Sequence, residues 1–98
     1  MKIVWSPLAV SQARDIASYI ALDKPSAAES WINHIFNCVE RLQEFPESGR
    51  VVPEINRKNI REIVQGDYRV IYKITENTID ILVVKSYRQK LQDFEVEP

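Results

Sequence analysis

The chain has 98 residues, 45% apolar and 28% charged, with a formal net charge of −1. That is the length of one domain, and the composition is that of a folded chain rather than a disordered one. One cysteine, Cys38, excludes an intrachain disulfide and a thiolate zinc cluster. No apolar run reaches the ~18 residues of a membrane span and no signal-peptide core is present, so a cytoplasmic protein is expected.

Lys2 to Trp5 is short, apolar and partly β-branched, as a first strand should be. Ser6-Pro7 then opens a helix, with Ser6 as N-cap and Pro7 where its missing N–H costs nothing. Ala9, Ala13, Ile16, Ala17 and Ile20 recur at helical spacing, and Pro25 stops the run. "SAAE", Ser26 to Glu29, has the form of a capping box for a second helix. Its apolar stripe is Ala28, Trp31, Ile32, Ile35, Cys38, Val39, Leu42 and Phe45. The two helices should form an antiparallel hairpin.

"FPESGR", Phe45 to Arg50, ends the second helix and turns through Gly49. "VVPE" suits a short edge strand, because Pro53 cannot donate to a ladder. Ile60–Val64, Tyr68–Thr75 and Ile79–Lys85 are three further strands, separated by turns at Gly66-Asp67 and Glu76-Asn77. The expected fold is a single α+β domain over 1–98. It has two layers: an N-terminal strand, a helical hairpin, and an antiparallel meander of three to four strands. In "GDYRVIYKI", Tyr68, Val70, Tyr72 and Ile74 should face the hairpin, and Arg69 and Lys73 the other side. That other side is expected to be open and polar, and the acidic tail from about 91 to 98 loosely held.

Charge is unevenly placed. Residues 1–49 have four basic and six acidic side chains, residues 50–90 nine and five, and the last eight three acidic ones. A cationic sheet face suits an anionic partner, either nucleic acid or an acidic peptide; a solvated mixed-charge surface is the plainer reading. The candidates are Arg61, Arg69, Lys73, Lys85, Arg88 and Lys90, with Arg61, Arg69 and Arg88 expected in one region, where guanidinium groups clamp phosphate or carboxylate. The competing reading pairs Arg69 with Glu62 or Asp80 across the sheet. His34 reads as an ordinary surface or helix-packing residue and Cys38 as a buried small hydrophobe, so no metal, cofactor or thiol chemistry is expected.

The order of elements, with "WSPLAVSQARDIASYIA", Pro25 to Ala28, "FPESGR", "IREIVQGDYRVIYKI" and "ILVVKSYRQ", resembles the RelE/ParE superfamily of bacterial type II toxins. The resemblance implies growth arrest by the free protein and neutralisation by an antitoxin. An acidic antitoxin segment would wrap the helices, add a strand to an exposed edge and give a hetero-oligomer. RelE-like members are ribosome-dependent endoribonucleases; ParE-like members poison DNA gyrase. Arg69 and Arg88 match arginines of the nucleases, and Tyr87 would supply the proton. Ile60 and Glu62 stand where that branch has lysines, and Phe94 where it has a late tyrosine. "FPESGR" and "DIASYIA" are more like the ParE branch. A ParE-like gyrase inhibitor that acts by binding rather than catalysis is therefore expected. The alternative is a RelE-like mRNA endoribonuclease with an altered site that uses Arg69, Arg88 and Tyr87. A third reading keeps antitoxin binding without toxicity.

Overall fold

A computed structural model describes residues 1–96, the side chains of Asp93 and Phe94 excepted. The elements are β1 (Lys2–Trp5), α1 (Pro7–Asp23), α2 (Pro25–Glu40), a 3-10 turn (Arg41–Gln43), β2 (Arg50–Val51), β3 (Ile60–Gln65), β4 (Tyr68–Ile74), β5 (Thr78–Ser86) and α3 (Asp93–Val96). Ser6 Oγ accepts from Ala9 N at 3.0 Å, as an N-cap should. The capping box is not used. α2 starts at Pro25, Lys24 is its N-cap, and no side chain caps it. Proline's fixed φ suits the first helical position, so the helix begins ahead of Ser26.

One sheet runs in the order β1-β5-β4-β3-β2. The meander β3-β4-β5 is antiparallel, and β1 joins β5 in parallel. β5 outruns β1, whose last register pair is Trp5 with Ile81. Side chains of the helix start cover the excess: Ser6 Oγ donates to Leu82 O, and Gln12 Oε1 accepts from Val84 N at 2.8 Å. A bulge places Val83 opposite Ile71 and Ile81 opposite Tyr72, which leaves Leu82 as the extra residue. It lets Ile79, Ile81 and Val84 all reach the hairpin-side core.

That core joins Ala9, Ile35, Val39 and Leu42 of the hairpin to Val70, Tyr72 and β5. Tyr68 and Ile74 lie on the same side, Tyr68 edge-on to Trp31. Each fully buried aliphatic contributes roughly 2 kcal/mol. Phe45 ends outside this core, 58% exposed, because the stripe leaves the helix at the 3-10 turn.

The opposite face is not open. Val52, Ile60, Ile71 and Val83 form a second core there, closed by Leu91 and Val96. The described part of the tail is therefore docked. Lys85 Nζ reaches both oxygens of Glu95, at 2.7 and 2.8 Å, and Lys90 O. Apolar positions 91 and 96, spaced by the short α3, cover strand residues that would otherwise face water.

Candidate functional site

Arg69 is the centre of the second face. Strand alternation turns it away from the hairpin, where only 4% of it is exposed. Its Nη1 and Nη2 fork onto Glu54 at 2.8 and 3.1 Å. Nη2 also lies 2.7 Å from Glu62 Oε1. Among the described residues that carboxyl oxygen and Arg69 Nε lack a well-directed hydrogen bond, so the Glu62 contact is an ion contact more than an aligned one. Arg50 Nε takes the other Glu62 oxygen. Arg69 Nη1 further donates to Gln89 O, and Glu54 Oε2 accepts from Leu91 N at 3.0 Å. One guanidinium thus ties β4, β3, the segment after β2 and the tail.

The bond from Arg69 lowers the Glu54 carboxyl from 4.5 to about 2; burial opposes this, and the Leu91 N–H adds to it. Burial disfavours the Arg69 charge, but the bond to Glu54 and the charges of Glu62 and Glu54 outweigh it and raise its pKa. This is the ion-pair reading of Arg69 with Glu62 and with a carboxylate, Glu54, that sequence spacing did not suggest. Asp80 is not a partner; its Oδ1 accepts from Thr78 Oγ1.

The other cations do not gather around Arg69. Arg61 lies on the hairpin side, in register with Tyr72, and donates to Lys58 O, Glu47 O and Gly49 O. The expected cluster of Arg61, Arg69 and Arg88 is not formed, because neighbouring strand positions face opposite ways. Lys85 is Arg69's register partner, but it is paired with Glu95. Lys73 stands opposite Ile60 and Asp80. Tyr87 and Arg88 are exposed in the turn after β5, and Lys90 is exposed beyond them. His34 is exposed. Cys38 is half-buried rather than sealed: its Sγ donates to Gln65 Oε1 at 3.4 Å and faces Arg41 Nη2 at 3.8 Å. No cluster of metal-ligating residues occurs among the described ones. The Phe94 side chain, aligned with the late tyrosine, lies outside the described residues.

The "FPESGR" turn is rigidly held. Tyr72 Oη donates to Pro46 O at 2.7 Å and accepts from Gly49 N at 3.0 Å. Burial raises the Tyr72 pKa. A Cβ at Gly49 would stand 2.6 Å from Tyr72 Oη and from Glu62 O, so only glycine fits this approach. The turn presents Phe45 to solvent.

On the hairpin, Trp5, Val10, Ala13, Trp31, Ile35 and Phe36 line an apolar cleft of about 250 Å³. Phe36 is 49% exposed and stacks at a tilt on Trp5. Leu8, Tyr19 and Leu22 are also exposed on α1. The hairpin thus leaves several large apolar side chains open to solvent.

Residues 3–91 match the family described as ParE toxin of type II toxin-antitoxin system, parDE. The chain is 31% identical over 90 residues to "Putative toxin Y4kP" of Sinorhizobium fredii (strain NBRC 101917 / NGR234), covering 90% of this chain and 91% of that protein. Its fold is similar to a chain of the chromosomal ParDE TA system from P. aeruginosa, with a TM-score of 0.72 at 20% identity, over 88% of this chain and 95% of the other.

Proposed function

We propose that this chain, which belongs to the ParE toxin family of type II toxin–antitoxin systems, arrests growth in the cytoplasm by binding and poisoning DNA gyrase and is neutralised by a cognate antitoxin. Gyrase as the target rests on family membership. Action by binding rather than catalysis rests on one observation, the burial of Arg69 between Glu54 and Glu62. RNA cleavage without a metal needs a base for the ribose hydroxyl, a free cation for the phosphate and an acid for the leaving oxygen. Arg69, one of the two arginines shared with the nuclease branch, has both terminal nitrogens engaged by partners inside the chain. A protein that works by surface contact needs no such group free.

The antitoxin reading draws on the apolar cleft between α1 and α2. A disordered segment that folds on binding can lay an amphipathic helix into such a groove.

Expression without the antitoxin separates the readings. Gyrase–DNA cleavage complexes and a DNA-damage response with intact mRNA are expected, and co-expression of the antitoxin restores growth. Codon-internal cleavage of translated mRNA, lost in a folded Arg88→Ala variant, would establish the nuclease instead. Absence of any growth defect would leave antitoxin binding alone.

A further inference from the structure

The cleft of about 250 Å³ between α1 and α2 has three aromatic rings among its walls. Phe36 lies 5.3 Å from Trp5, centroid to centroid, at a tilt of 53°. Trp31 is held edge-on to Tyr68, also at 5.3 Å. Ile35, almost fully buried, lines the same space. Both tryptophans of the chain, Trp5 and Trp31, therefore stand at this one place.

The polar groups on the lining side chains specify the guest. They are the two indole N–H groups and the Arg14 guanidinium, and all of them are donors. No lining side chain is a carboxylate or any other acceptor. Trp31 Nε1 is buried and has no acceptor among the described residues. Arg14 is exposed, and its side chain makes no hydrogen bond or ion pair among the described residues. Aromatic walls take a flat ring by stacking; they would also take a cation, but Arg14 repels one. A closed cavity of about 150 Å³ holds a benzene ring, so this volume suits one ring or two fused rings and not a long chain.

We propose that the cleft is a binding site for a small aromatic carboxylate, whose ring lies among Trp5, Trp31 and Phe36 and whose carboxylate pairs with Arg14. Binding of such an acid needs neither gyrase nor an antitoxin. The bound acid stands in the groove read above as the antitoxin's.

The test takes the full chain, isotope-labelled for nitrogen NMR, and probes of one ring system and different charge: indoleacetate, indole and tryptamine. The chain gives only two indole N–H signals, from Trp5 and Trp31. Both are expected to move with indoleacetate, which binds about tenfold more tightly than tryptamine. Arg14→Gln abolishes that preference, and because Arg14 is exposed the melting curve stays that of the wild type. Phe36→Ala, which removes one wall, weakens indoleacetate about fivefold. Octanoate, an acid without a ring, binds more weakly than indoleacetate; equal binding overturns the aromatic class. Indole signals that stay fixed in millimolar indoleacetate, or a charge preference that survives Arg14→Gln, overturn the site and leave the toxin reading untouched.

Discussion

Replacement of Arg69 by alanine is the perturbation that separates a structural arginine from a catalytic one. The side chain of Glu62 has no exposed surface, and Arg69 supplies one of its two cationic partners. Removing one member of a buried pair costs roughly 3–5 kcal/mol, because the other charge stays buried. Two features favour the lower end. Arg50 remains on Glu62, and the Glu54 side chain, 27% exposed, can turn to water. The expected loss is therefore about 3 kcal/mol, a large share of the roughly 5–15 kcal/mol that holds a small domain. For a chain of this size that is a fall in Tm of about 12–24 °C. Urea unfolding at pH 7, followed by tryptophan fluorescence, measures it. Arg69→Lys should fall between the two, since an ammonium keeps the charge but cannot fork onto Glu54 and Glu62 together. The double variant Arg69→Met, Glu62→Gln should recover part of the loss by removing both buried charges. A loss below about 1 kcal/mol for Arg69→Ala would refute the reasoning and return the arginine to functional candidacy.

Acid should loosen the same cluster. The Glu54 pKa is depressed to about 2 in the folded chain, so its contribution is complete above the unfolded value of 4.5 and disappears as pH falls towards 2. A shift of that size corresponds to at most roughly 3 kcal/mol, and solvent screening of a partly exposed carboxylate reduces it to about 1–2 kcal/mol. Urea midpoints between pH 6 and pH 2 should show this slope in the wild type and a shallower one in Glu54→Gln. Gly49→Ala should cost about 1–3 kcal/mol by overpacking, and less in a Tyr72→Phe background, where one of the colliding atoms is gone; equal costs in both backgrounds would contradict the contact. Tyr72→Phe alone should cost about 1–3 kcal/mol, because it strands the Gly49 N–H and the Pro46 carbonyl. Leu91→Ala should cost roughly 2–4 kcal/mol and speed limited proteolysis of the tail; an unchanged protease pattern would argue against a docked segment.

The elements were legible because their signals are local. Ser6-Pro7 starts a helix by satisfying and omitting the donors that a helix start leaves over, and Pro25 both ends one helix and begins the next. Period-two alternation in "GDYRVIYKI" placed Tyr68, Val70, Tyr72 and Ile74 against the hairpin as the structure has them. The continuous apolar run from Ile79 to Val84 has no alternation to read. Its faces were settled by the bulge at Leu82, which depends on pairing with β4. The parallel pairing of β1 with β5 likewise has no local mark, since it joins residues about 76 positions apart.

The candidate site was legible in its parts and not in its arrangement. Arg69 stood out because an arginine sat inside the most strand-like run of the chain, and its link to Glu62 follows from neighbouring strands. Its bond to Glu54 does not, because Glu54 lies in an irregular segment whose path is set by Val52 and Ile55 packing under the tail. Leu91 and Val96 looked like scattered apolar residues in an acidic terminus. Only the uncovered row of Ile60, Ile71 and Val83 gives them somewhere to go. The sequence by itself determined helices, strands, the hairpin-facing half of the sheet and the family, since each rests on short-range periodicity, caps or motif order. Tertiary structure decided that the second sheet face is a core rather than a cationic surface. The physical reason is that a buried arginine must have its charge answered, and the carboxylates that answer it come from segments brought together only when the chain closes over that face.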